Sequence, residues 1–332
     1  MMKNVIFAAL ALVLFSACGT KKQYFEPDKI EDKLSYDSRL KSQINSSSDE
    51  FAVLNNGQIL SKQGLIENFK LEKEFSILKY EADEFVIADN FGLLKIVNAD
   101  GDELYSHKFD AAVLSVALQG DDLALILANN SIVLANRSLG IKFQQLLAPA
   151  PAQDMRVASP VFLTNMIIFP SLDGKLNVFD TQTQKIIRSF IISRDEFFNN
   201  IIYLEIKDNK MIVASSNRVV VVDEGRTFSL GEEIRNIAVY KDNIFIFAKN
   251  GNIIKTDLHL NKLFEKKFKF AIYNEINIFK DHLYVFEKTG YLIKSDLNLQ
   301  EFKIYRVSGA KDSNAFMQDD KFYYSNKILN LI

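Results

Sequence analysis

The chain has no tryptophan, one cysteine, three histidines and five prolines in 332 residues. A single cysteine, Cys18, has no disulfide partner, so no disulfide framework holds this fold. His107, His259 and His282 lie far apart in sequence, and no Cys/His/carboxylate spacing of the zinc-binding kind accompanies them. No metal ligand is assigned. Neither a Gly-x-Ser-x-Gly elbow nor a phosphate-cradling glycine loop occurs, so no catalytic residue and no cofactor follow from the sequence. Charge of either sign is not in excess: 40 Lys and Arg stand against 42 Asp and Glu, a formal net charge of −2. That balance argues against nucleic acid as a partner.

What the chain does have is a repeat. An acidic or Asn-containing turn followed by an apolar run occurs eight times, with first apolar residues Phe51, Phe85, Leu123, Met166, Met211, Ile244, Leu283 and Phe322. The steps are 34, 38, 43, 45, 33, 39 and 39 residues, the length of a four-stranded propeller blade. The runs themselves, such as Ile244-Phe245-Ile246-Phe247, are apolar at every position and suit strands covered on both faces.

Two further repeats keep phase with the first. A polar turn, usually with Gly or Asn, opens the third strand of each unit: Asn56-Gly57, Phe91-Gly92, Asn130-Ser131, Asp173-Gly174, Asn217-Arg218, Asn250-Gly251, Thr289-Gly290 and Asn326-Lys327. Gly and Asn tolerate the positive φ of tight hairpins. Asn98, Asn136, Asp180, Asp223, Asp257 and Asp296 then close the third strand, and the many aspartates read as turn-capping groups. The expected fold is an all-β, eight-bladed propeller of four-stranded antiparallel blades, with seven blades as the alternative. The last unit, from Asn314, has room for only three strands, so the fourth is expected from Leu34 to Ile44. The ring would then be closed by strands from both ends of the chain, leaving no open edge.

The N-terminus reads as an address. Met1-Met2-Lys3 is a minimal basic region, and the apolar run Val5 to Phe15 spans 11 residues, too few to cross a bilayer as a helix. Ser16-Ala17-Cys18-Gly19 follows and resembles the lipobox of bacterial lipoprotein signal peptides. The resemblance implies cleavage before Cys18 and acylation of Cys18. Gly19, rather than Asp, at the next position implies the outer membrane, with the body in the periplasm. The expected division is a signal peptide over 1–17, a lipidated tether over 18–33 and the propeller over 34–332.

The fourth unit carries a second resemblance. Ala158-Ser159-Pro160-Val161, then Asp173-Gly174-Lys175-Leu176 and Asp180-Thr181-Gln182-Thr183-Gln184-Lys185, is similar to a repeat of the quinoprotein-like propellers, with Gln184 where Gly is usual. The tryptophan that normally follows is absent. A lipoprotein signal joined to such a ring resembles the BamB family, subunits of the outer-membrane β-barrel assembly machinery. That resemblance implies a non-enzymatic scaffold that is monomeric within a complex. It would bind the periplasmic domains of the barrel-inserting subunit and assist barrel insertion. A lipoprotein propeller for another periplasmic partner, envelope polysaccharide or a secretion complex, is the alternative. A quinone-dependent dehydrogenase is a remote one, because those enzymes use tryptophan docking, an acidic calcium site and often a vicinal cysteine pair.

Two inter-blade links are long. Leu146 to Ser159 contains Pro149 and Pro151, and Ile191 to Asn200 combines Ile191, Ile192, Arg194, Phe197 and Phe198. Both should emerge on one face beside the fourth blade. Aromatic, aliphatic and Arg side chains on loops of a rigid scaffold are the residue types of interface hot spots, so these seven residues are the partner-binding candidates.

Overall fold

The computed structural model describes residues 23–331 except 151–152, 196 and 312–313. The regular elements among them are strands, grouped into eight sheets around a ring. Eight blades are present, and the seven-blade alternative falls. From the axis outward, blade 1 is Ile44–Ser47, Phe51–Leu54, Ile59–Ser61 and Gly64–Ile66. Blade 6 is Ile234–Tyr240, Asn243–Ala248, Asn252–Asp257 and Lys262–Lys267. The others follow the same in-to-out order.

The core lies between blades. Phe245, Phe247 and Ile253 of blade 6 meet Leu283, Val285 and Ile293 of blade 7, all buried. Each such side chain contributes roughly 1.5–3 kcal/mol on burial. Phenylalanine fills the role of large aromatic here, as in the Phe143–Phe179 contact between blades 3 and 4, with ring centroids 4.6 Å apart.

The repeated turn residues do two different jobs. Between first and second strands, Ala82-Asp83, Asp208-Asn209 and Lys280-Asp281 take positive φ at both positions, the geometry of a type I′ hairpin. Asp serves there through its tolerance of φ and not, as expected, by capping. Capping occurs in the later turns: Asp89, between second and third strands, accepts the amides of Phe91 at 2.8 Å and Leu93 at 2.7 Å, and the turns after the third strand do the same. Asp180 accepts the amides of Gln182 at 2.9 Å and Thr183 at 2.7 Å, and Asp296 those of Gln300 and Glu301, both at 2.9 Å. Gln184, standing where the quinoprotein repeat has Gly, adopts φ 54°.

One hydrogen bond recurs in every blade. The carbonyl of the turn between second and third strands accepts an amide at or just past the end of the outer strand. The donor is the first residue beyond it in six blades, Val307 at its very end in blade 7 and Leu71 a few residues on in blade 1. The pairs are Leu71 to Gly57, Phe109 to Gly92, Leu147 to Asn130, Ile192 to Gly174, Glu232 to Asn217, Phe268 to Gly251, Val307 to Gly290 and Leu40 to Asn326, at 2.7–3.1 Å. This bond folds each inter-blade link inward over the preceding blade. It brings backbone so close at Gly251 that a Cβ would sit 2.1 Å from the Phe268 oxygen, at φ 86°.

Closure follows the expected plan. Ala315–Gln318, Lys321–Tyr324 and Lys327–Asn330 form the inner strands of blade 8, and Ser38–Arg39 is its outer strand. The Leu40-to-Asn326 bond therefore repeats the inter-blade clamp across the two ends of the chain. A buried polar line reinforces it. The Lys62 ammonium of blade 1 donates to the Met317 carbonyl of blade 8 at 2.7 Å, and the Met317 amide donates to the Glu275 carboxyl of blade 7. Burial pushes Glu275 up to about 8, against the opposing charge of Lys62.

From residue 23 the segment expected to be a tether is docked. Phe25 is buried edge-on against Phe268 and Tyr291, with ring centroids 5.9 and 5.5 Å away. Asp32–Leu34 adds a fifth, parallel strand outside Phe302–Val307 of blade 7. The reason is an unpaired outer edge beside an aromatic nest, which an extended segment covers. Cys18 and the signal region lie outside the described residues.

Gly251→Ala should cost about 2–4 kcal/mol through backbone clash and forced φ. Gly101→Ala, with nothing within 4 Å of its Cβ position, should cost clearly less in the same denaturant titration. Glu275 holds its proton more tightly folded than unfolded, so its contribution is complete below the ordinary carboxyl range and is lost as pH rises toward 8. The melting-temperature gap, Glu275→Gln minus wild type, should widen from about pH 5 to about pH 8.5. A narrowing gap would mean that ionised Glu275 paired with Lys62 is the stable form.

Candidate functional site

Because each blade ends where it begins, all inter-blade links and all turns between second and third strands share one face. This loop face carries the two long links, and they are bonded to each other. Asn200, fully buried, accepts the Asp154 amide at 2.6 Å and donates to the carbonyls of Asp154 at 3.1 Å and Arg156 at 2.6 Å. The Ala158 amide donates to the Ile201 carbonyl at 2.9 Å. The expectation that the links are neighbours holds.

The first link reaches across the ring. Arg156 forks onto Asp154 through Nε at 2.8 Å and Nη2 at 2.5 Å, and its Nη1 donates to the Arg235 carbonyl of blade 6 at 2.5 Å. Burial pushes the Asp154 carboxyl up, but hydrogen bonds from the Arg156 side chain and amide outweigh it and hold the group below its usual range. Asn130, also buried, donates to the Ala148 carbonyl at 2.6 Å and accepts the Leu172 amide at 2.8 Å, tying the link to blades 3 and 4. Met155, at the tip, is fully exposed.

The second link is held from within. The Asn199 side chain accepts from Ser193 Oγ at 2.5 Å and from the Asp195 amide at 2.8 Å, and its amide group donates back to the Asp195 carbonyl. The Asp195 carboxylate accepts from Asn217 of blade 5 at 3.1 Å. This bracing leaves Phe197 and Phe198 at 46% and 51% exposure, Phe198 with φ 58°, a left-handed backbone unusual for a bulky residue. Ser216 Oγ donates to the Phe198 carbonyl at 2.8 Å and secures that conformation.

Of the candidates, Ile191, Arg194, Phe197, Phe198 and Pro149 are exposed on or beside this platform. Pro151 lies outside the described residues. Ile192 is corrected: it is 2% exposed, packs with Ala158, Ile168 and Val213, and roots the loop instead of meeting a partner. The inter-blade clamp to Gly174 turns it inward. Sequence reasoning missed Met155, and it missed Phe91 at the turn of blade 2. Their signal was an apolar residue inside an otherwise polar turn.

Chemistry is sparse. Among the described residues no group of three or more His, Cys, Asp or Glu could hold a metal ion. His259 Nε2 lies 2.8 Å from Asp223, joining adjacent turns of blades 5 and 6, and the residue is half-buried. A cleft of about 920 Å³ opens between blades 1 and 2, lined by Ser46, Ser47, Ser48 and Ser76 above Phe51 and Phe75. Its lining has no histidine or cysteine, and its one carboxylate, Glu72, is exposed.

Asn200→Ala would leave three backbone groups of the two links without their partner. A loss of about 2–3 kcal/mol is expected, with faster amide exchange confined to residues 153–158 and 195–202. Unchanged exchange there would mean the links are rigid without Asn200.

No protein-family model matches the chain. It is similar to the plasminogen-binding protein PgbB of Helicobacter pylori. The J99 strain's protein is 29% identical over 324 aligned residues, covering 83% of this chain and 59% of the relative. That of strain 26695 is 28% identical over 311, covering 79% and 57%. The chain thus spans somewhat under three fifths of the curated relatives it matches. Among solved structures it is similar to BamB from Moraxella catarrhalis, with TM-score 0.69, 16% identity and coverage of 88% of this chain and 98% of that one. The C-terminal WD40 domain of Sif2 gives TM-score 0.67, 14% identity and coverage of 91% and 99%. At such identities the structural likenesses establish the propeller fold alone.

Proposed function

We propose that this protein is a non-enzymatic, lipid-anchored propeller that binds a protein partner through the loop face of blades 3 to 5. The observation that carries this is the pair of long links locked together through Asn200, which holds Met155, Phe197, Phe198 and Arg194 out on a rigid base. Pre-ordered apolar side chains cost little entropy on binding, the condition for a hot spot. Acylation of Cys18 and an outer-membrane, periplasm-facing position belong to this proposal and rest on the lipobox-like Ser16-Ala17-Cys18-Gly19.

Two partner classes are consistent with this face. The BamB-like ring and lipoprotein-like start support a scaffold for outer-membrane barrel assembly, acting on the periplasmic domains of the barrel-inserting subunit. The similarity in sequence to plasminogen-binding proteins supports capture of an external protein instead. Crosslinked envelopes from cells carrying a tagged chain distinguish them: recovery of the barrel-inserting subunit supports assembly, and its absence alongside direct plasminogen binding supports capture.

Arg194→Glu combined with Phe197→Ser should leave the melting temperature within a few degrees of wild type, because both side chains are exposed. Affinity for the partner should drop roughly thirtyfold, the loss of about 2 kcal/mol typical of one hot spot. Equal affinity would move the interface away from this loop.

A further inference from the structure

A second surface lies a quarter-turn around the ring, where the outer strand of blade 6 leads into blade 7. The run Lys266-Lys267-Phe268-Lys269-Phe270-Ala271-Ile272 crosses this corner. Phe268 and Ala271 are buried, while Lys266, Lys267, Lys269, Phe270 and Ile272 are exposed. Phe270 holds φ 66°, a strained setting for an aromatic residue, and stays 37% exposed there. Among the described residues none of these lysines has a carboxylate within ion-pair distance, and nor does Lys288, whose amide is bonded to the Ile272 carbonyl at 2.9 Å. The neighbouring acids are partly spent: Glu265 is paired with Lys262 at 2.6 Å, and Glu287 is fully buried with its carboxyl pushed up by burial. Glu26 and Asp28 are the exposed acids of the docked segment around Phe25. On a chain of net charge −2 this is a local concentration of positive charge.

The N-terminal segment is seated at the same corner. Phe25 packs on Phe268 and Tyr291, and the Lys266 ammonium stands 6.0 Å from the Phe268 ring and 5.7 Å from the Phe302 ring. Upstream in the sequence stand Cys18 and the apolar run Val5–Phe15. Seven residue-to-residue steps lead from Cys18 to Phe25, a reach of at most about 25 Å. Any membrane attachment made by that region keeps this corner close to the lipid surface.

We propose that the corner of blades 6 and 7 is a lipid-facing surface: Lys266, Lys267, Lys269 and Lys288 meet anionic headgroups while Phe270 and Ile272 enter the interfacial layer. Lysines ringing exposed aromatic and aliphatic tips are the composition that such binding requires, whereas a protein-binding patch is depleted of lysine. The corner lies on the same loop face as the platform of blades 3 to 5, farther round the ring. The inference does not require Cys18 to be acylated.

The test uses the full-length chain carrying Cys18→Ala, so that no acyl chain contributes, in sedimentation with vesicles of phosphatidylcholine alone or with phosphatidylglycerol added. Binding is expected only to the anionic vesicles. Lys266→Gln/Lys267→Gln/Lys269→Gln should weaken it on the order of a hundredfold. Lys41→Gln/Lys70→Gln/Lys73→Gln removes the same net charge from exposed positions remote from this corner and should weaken it only a few-fold. Phe270→Gly relieves the strained φ, so its melting temperature should not fall while vesicle binding does. Equal loss in both lysine triples, no preference for anionic vesicles, or binding to a soluble polyanion without binding to vesicles would each overturn the proposal.

Discussion

The ring depends on a single backbone hydrogen bond made eight times. Each blade ends with an amide given to the carbonyl of its own second-to-third-strand turn. That bond sets the angle at which one blade leaves and the next begins. It also explains the composition of those turns. Where the approach is closest, at Gly251 and Gly290, a Cβ would stand 2.1 and 2.0 Å from a carbonyl oxygen. Where Asn replaces Gly, as at Asn130 with φ 64°, the same carbonyl is offered and the side chain takes on extra bonds, donating to Ala148 of the next link and accepting from Leu172 of the next blade.

This explains which parts of the molecule were legible in advance. Blade number came through because three turn signals repeat in phase, and each has a backbone cause that acts within a few residues. The ring-closing strand was legible because a three-stranded end leaves an edge that something must cover. Ile192 was not legible as core: its neighbours in sequence are Ile191, Ser193 and Arg194, and only the clamp to Gly174 decides which isoleucine faces in. The docking of Phe25 was hidden for a related reason. Its pocket is assembled from Phe268 and Tyr291, more than 240 residues away in sequence. No local pattern announces a site built from so distant a pair.

The loop face gains its character from what the clamp leaves over. Short links are consumed by the turn back into the next blade. The two links around blade 4 are longer than the clamp needs, and the surplus is fastened by three asparagines, Asn130 and Asn200 buried and Asn199 half-exposed. A side-chain amide both donates and accepts, so one residue satisfies several backbone groups that a link passing over the ring would otherwise leave unpaired. The outcome is a set of exposed apolar tips, Met155, Phe197 and Phe198, on braced supports.

The parallel strand Asp32–Leu34 also has a mechanical consequence. A pull on residue 23 would first load the Phe25 nest and then the ladder to Tyr305, Arg306 and Val307, before any tension reached Ser38–Arg39. In a ladder pulled along the strand direction the bonds resist together, in shear, and not one after another. The strand that closes the ring therefore sits behind two strain reliefs, and a body hung by its N-terminal end could swing without working its own clasp open.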